Sequence, residues 1–193
     1  MDSRDILTIK GLILRGEART ACTFNQVPLS RCHFLDLPFY ETGKIQKNPI
    51  SEADVEIVRN LLREVKPHQI FVAGDLADPH GTHRVCTDAV FAAVDLEKEE
   101  GAKWLKDCRI WMYRGAWAEW EIENIEMAVP ISPEELRAKR NSILKHQSQM
   151  ESAPFLGNDE RLFWQRSEDR NRGTATLYDQ LGLASYEAME AFV

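Results

Sequence analysis

From Asp5 to about Asn25, apolar residues fall at Ile6, Ile9, Leu12 and Ile13, then at Ala18, Ala21 and Cys22, with charges between them. That is helical spacing, and the chain is expected to open in a helix. The run His33 to Leu37 in CHFLDLPFY is short, apolar and closed by Pro38, as a buried strand is. PISEADVEIVRNLLREVKP reads as a helix: Ser51 is an N-cap, Ile57, Val58, Leu61, Leu62 and Val65 form one apolar face, and Pro67 ends it. QIFVAGD, apolar almost throughout, is the next strand, of the kind covered on both faces. RVCTDAVFAAVDLEKEEG then gives a helix with Val85, Ala89, Ala92 and Ala93 toward the core, and CRIWMY a strand from Cys108 to Tyr113.

The alternation in EWEIENIEMAVPI slips phase between Asn124 and Ile125, which predicts a bulge or two strand pieces. SPEELRAKRNSILKHQSQ starts a helix with Ser132 as N-cap, Pro133 at the first helical position and Glu135 as box partner. The remainder, from Phe155 to Val193, is expected to be helical in pieces, with Gly182 stopping one piece and Tyr186, Met189 and Phe192 forming an apolar stripe. Strands alternating with helices predict an α/β fold: a Rossmann-like, mostly parallel sheet with helices on both faces. There is no GxGxxG, so no dinucleotide is implied. An independent domain of this class more often opens with a strand, so the helical start points to a sequence cut from something longer.

Length and composition add limits. The 193 residues, 44% hydrophobic, suffice for one domain with a sizeable core. A net charge of -7 argues against nucleic acid as a partner. No run reaches the ~20 apolar residues of a membrane span, and MDSRDILTIKG lacks a signal-peptide profile. Cys22, Cys32, Cys86 and Cys108 are scattered without a CxxC pair, so they read as reduced thiols, which fits a cytoplasmic location.

DLADPHGTHRVC, Asp75 to Cys86, carries the candidate chemistry. In an open α/β sheet, ligands collect where loops leave the carboxyl ends of strands, and this is such a loop. If a helix begins near His80, positions 80 and 83 share one face and both imidazoles approach a single point. Asp75 and Asp78 are placed to orient an imidazole or hold it protonated. The structural alternative has Asp78 capping the helix, Pro79 as its first residue and both histidines solvated. HxxH by itself does not decide, because a catalytic zinc takes about three protein ligands and an open position. His68 sits at a strand entrance, His33 early in a strand and His146 late in a helix, and all three read as structural.

Trp111, Tyr113, Trp117 and Trp120 offer either a sugar-stacking platform or core packing over the sheet, the latter being preferred. Arg114, at the far end of a strand, is the best basic candidate for a phosphate or carboxylate of a substrate.

LRGEARTACTF followed by CHFLDLPF, then DPHGTHR, then KRNSILKHQSQ resembles in order the motifs of the LmbE/PIG-L family of zinc-dependent N-deacetylases of N-acetylglucosamine-like sugars. The resemblance spans roughly Leu14 to Gln149. It implies that His83 is a zinc ligand and that His80, with Asp78 beside it, assists catalysis by steadying an oxyanion or protonating the leaving amine. The family's other ligands and its general base come from an A-H-P-D-D-E motif upstream, and these residues contain no such motif. Thr82 also stands where the family usually has aspartate. The implied zinc therefore belongs to an intact parent, no tightly bound metal is expected in this chain, and the chain by itself is expected to be inactive. Arg84 either pairs with a carboxylate or is solvated.

By the same resemblance residues 1–149 form a deacetylase-like domain lacking its first strand and metal box, and residues 150–193 form its helical extension. The tail resembles a subgroup in which a glucosamine-6-phosphate deaminase domain precedes this one. The implied partners are a small-molecule amino sugar and the amino-terminal domain of the parent. Apolar surface left by a missing first strand implies self-association as a homo-oligomer. The rival reading is a non-catalytic interaction or regulatory domain with a degenerate zinc site.

Overall fold

Helix α2 (Glu52–Val65) forms where its local signals place it. Ser51 accepts from the Asp54 N–H at 3.4 Å while Asp54 accepts from the Ser51 N–H at 2.8 Å, closing a capping box. The other oxygen of Asp54 accepts the Phe39 N–H at 2.8 Å, so the residue that starts the helix also anchors the preceding loop. Burial opposes the charge on Asp54, but the Ser51 hydroxyl and the Phe39 and Ser51 N–H groups outweigh it and hold the carboxyl below its ordinary range. Lys66 ends the helix in the left-handed region at φ 48°, just before Pro67.

The computed structural model describes residues 3–40, 48–74, 81–115, 119–150 and 161–193. They fall into two units of an α/β chain: Leu35–Ile125 with Phe192–Val193, and Met1–Phe34 with Glu126–Ala191.

In the first of these units β1 (Gln69–Ala73) lies parallel to β2 (Arg109–Tyr113), from Gln69 opposite Arg109 to Ala73 opposite Tyr113. Parallel strands need a crossover, here α3 (Thr82–Glu99). Val58 and Leu62 of α2 pack on Ala89 and Ala93 of α3, both alanines fully buried. Removing Val58 and Leu62 from water contributes about 2 kcal/mol each, and the small alanines let the helices approach closely. At the other end of this contact Glu97 receives Arg59 at 2.7 Å and Arg63 at 2.6 Å. Phe192 pairs antiparallel with Tyr113, and its ring meets Phe71 edge to face at 5.4 Å.

The second unit holds α1 (Arg4–Phe24), β3 (Met127–Ile131), α4 (Pro133–Ile143), the short α5 (Gln147–Met150), α6 (Phe163–Gln180) and most of β4 (Ala188–Phe192). Helix α4 begins as its sequence predicts, with the Ser132–Glu135 capping box and Pro133 at the first helical position. Its Leu136 is buried. Helix α1 also forms where expected, yet Ile6, Ile9, Leu12 and Ile13 are exposed while Ala21 on another face is buried. A 3-10 turn at Ile122–Asn124 accounts for the phase slip before β3.

Three expectations are corrected. His33 to Leu37 forms no strand: Asp36 takes φ 51°, which breaks an extended run, and His33 is exposed. The stripe of Tyr186, Met189 and Phe192 is not helical, because Ala188–Phe192 is strand β4, with Ala188, Met189 and Ala191 buried. The Asn171 amide of α6 donates to the Met189 carbonyl at 2.7 Å, a contact that no periodicity in the tail announces. His146 lies between α4 and α5 rather than late in a helix.

Candidate functional site

The parallel pairing brings the carboxyl ends of β1 and β2 to one side, where α/β sheets bind ligands. Gly74 follows β1 and donates its N–H to the Tyr113 carbonyl at 2.7 Å. A Cβ on Gly74 would sit 2.5 Å from Trp120 Cζ2 and 2.9 Å from Met112 Cβ, so only glycine lets the indole lie against this backbone. Over the same indole lies the Arg114 guanidinium, 3.9 Å from the ring centroid. The Trp111 and Trp120 indole nitrogens are buried with no hydrogen-bond partner among the described residues.

Helix α3 begins at Thr82, with Gly81 at the N-cap at φ 67°. The described part of the helix follows the left-handed Gly81, and the expectations that place its start at Pro79 or near His80 fall on residues outside the described ones. His83 is the second residue of α3, and its side chain is exposed. One turn later on the same helix face, buried Thr87 donates its hydroxyl to the Ala73 carbonyl at 2.7 Å. That bond fixes the first turns of α3 to the end of β1 and sets position 83 at the carboxyl rim of the strands.

His80 and Asp78 lie outside the described residues, as do Asp75 and Trp117. Of the predicted site residues, the structure thus places His83 and Arg114, both in the unit of β1 and β2. Among the described residues there is no group of three or more His, Cys, Asp or Glu able to hold a metal. The described residues offer the implied zinc the single donor His83 and do not amount to a zinc site. His68 stands at the opposite end, its carbonyl accepting the Arg109 N–H where the strands begin.

Two pairings escaped the sequence. Glu17 accepts from both the N–H and the hydroxyl of Ser148, at 2.7 Å each, joining the R-x-E helix to the KHQSQ segment across 131 positions. The only signal for it was that both segments carry family-like motifs. Burial, and then the neighbouring Cys22 thiol, push the Cys32 thiol up, so two cysteines that look scattered along the chain meet beside the end of α1.

No family model matches the sequence. A protein of Bacteroides thetaiotaomicron named glucosamine-6-phosphate deaminase-like protein is 95% identical over all 193 residues. The chain spans 29% of that protein's length. Among the described residues no helix is long and apolar enough to cross a membrane.

Proposed function

We propose that this chain is a deacetylase-like portion of an amino-sugar-metabolising protein, with its ligand site at the carboxyl rim of β1 and β2 and no amide-hydrolysing activity of its own. The observation that carries the reading is the Thr87 bond to the Ala73 carbonyl, which sets His83 at that rim. The name of the Bacteroides thetaiotaomicron relative supports amino-sugar metabolism as its setting. Arg114 supplies a fixed cation for a sugar phosphate or carboxylate, held flat by the Trp120 ring. His80 and Asp78 belong to the same loop in this reading and would act on the amide nitrogen or the developing oxyanion.

No step runs through zinc in this reading, because the described residues bring one imidazole to the rim and a catalytic zinc takes about three protein ligands. Titration calorimetry with zinc, followed by an assay for release of acetate from N-acetylglucosamine, tests the reading. The expected result is neither stoichiometric tight uptake nor hydrolysis. Tight uptake accompanied by hydrolysis would sink the silent-domain reading. Glucosamine 6-phosphate gives the second arm: binding is expected, weakened about tenfold or more by Arg114→Ala. Loss of one buried or stacked charge-assisted contact corresponds to about 1.5–3 kcal/mol. A protein that ignores the sugar phosphate altogether is the non-catalytic interaction domain instead.

A further inference from the structure

Helix α1 is apolar on two faces. One carries the buried Ala21, with Leu7, Leu14 and Ala18 half-buried along it. The other carries Ile6, Ile9, Leu12 and Ile13, which are 44, 57, 61 and 48% exposed, and continues toward Phe24 at 40%. A Cβ at Gly16, within this second strip, would meet nothing within 4 Å, so the strip is open there and offers close approach to a neighbour's backbone. Isolated aliphatics on a surface are ordinary, but four of them gathered on one face of a helix over two turns, with Gly16, Thr20 and Thr23 between them and Phe24, are the pattern of a partnered one.

Its size restricts the occupant. Even counted through to Phe24, the strip is roughly 27 Å long and about 10 Å wide, at most on the order of 270 Å². A stable contact between two separate molecules buries about 800 Å² on each partner. A second copy meeting α1 alone falls well short, whereas a segment of the same polypeptide needs no such area, because its tether keeps it at an effective concentration in the millimolar range. Such polypeptide exists where this sequence is found in a longer protein: the relative 95% identical throughout devotes only 29% of its length to it.

We infer that the Ile6–Ile9–Leu12–Ile13 face of α1 is the docking surface for an apolar helix or sheet face supplied by the longer polypeptide outside these 193 residues. The inference stands on α1 alone and is independent of the amino-sugar reading. The test uses the longer polypeptide with Leu12 replaced by the photo-crosslinker p-benzoylphenylalanine, and a control with the crosslinker at Glu134, whose side chain is 86% exposed. Each is prepared as a mixture of light and heavy isotope forms and read by peptide mass spectrometry. The expected adduct at position 12 is of one isotope form, joins α1 to a peptide outside this sequence, and is at least tenfold more abundant than any adduct at 134. A mixed-isotope adduct would identify a second copy and overturn the inference. So would an adduct to a peptide within these 193 residues, or a yield no higher than at position 134.

Discussion

In the unit of β1 and β2 the tightest packing is apolar and steric, with the Trp120 ring against Gly74 and two buried alanines between α2 and α3. In the unit of α1, α4 and α6 polar groups share the interior with Leu136, Ala188 and Ala191: Asn171 is fully buried, and Thr174, Ser167 and Glu168 nearly so. There Glu190 accepts from Lys139 at 2.5 Å and from Arg170, while Arg140 grips Glu168 with two bonds at 2.5 and 2.6 Å and lies over the Trp164 ring. The contrast teaches that the rim of β1 and β2 is specified by shape, while the packing of α6 on β4, like the Glu97 pairing with Arg59 and Arg63 in the first unit, depends on satisfied charge. A shape-specified region fails when volume is added, and a charge-specified one fails when a partner is removed or the pH falls.

Gly74→Ala should give the largest effect, about 3 kcal/mol of destabilisation, because the added carbon meets the fixed Met112 Cβ as well as the indole. Urea unfolding checks it, and Trp120→Ala in the same chain should recover part of the loss. A midpoint unchanged by Gly74→Ala would remove the steric account of this rim.

Glu190→Gln should cost about 2 kcal/mol, less than for a fully buried pair because Glu190 keeps some exposure, since Lys139 and Arg170 then lose their counter-charge. Burial opposes the Glu190 charge, but Arg170 and then Lys139 outweigh it and hold its carboxyl below the ordinary 4.5. A depressed folded-state value means that the stabilisation is present above pH 4.5 and is lost as the pH falls through the folded-state value. Melting temperatures between pH 6 and pH 3 should therefore drop more steeply for the natural chain than for Glu190→Gln. Glu97, also depressed despite its burial, by Arg59 and Arg63, adds to the same acid loss from the other unit. Parallel acid profiles for the two proteins would show that Glu190 contributes nothing there.

The smallest expected effect sharpens the account of the site. Thr87→Val keeps the shape but removes the hydroxyl bond to Ala73, for a cost of about 1 kcal/mol. Hydrogen exchange should quicken in the first two turns of α3 and leave α2 unchanged, while Thr87→Ser should restore protection. Uniform quickening in both helices would mean that the bond supports the core rather than positioning His83.

The helix starts of α2 and α4 were legible because a capping box is made within four residues: Ser51 with Asp54, and Ser132 with Glu135. Strands β1 and β2 were legible as short apolar runs between turn residues, and the parallel pairing followed from the helix between them. His33 to Leu37 looked equally apolar and failed as a strand, because a pleated run needs a hydrogen-bonded neighbour and Asp36 turns instead. At the candidate site the sequence identified Arg114 and a loop leaving a strand. It did not reveal that Arg114 would be spread on Trp120 or that Thr87 would tie α3 to β1.

Composition, caps and periodicity by themselves determined an α/β chain, the start of its best-capped helices and the rim where chemistry is expected. These are consequences of contacts between residues a few positions apart. Only the tertiary structure decided that the tail ends in strand β4, that Glu17 meets Ser148 and that one face of α1 is left bare. A backbone group or an apolar face can be satisfied by many distant partners, and which one it meets depends on the packing of the folded chain.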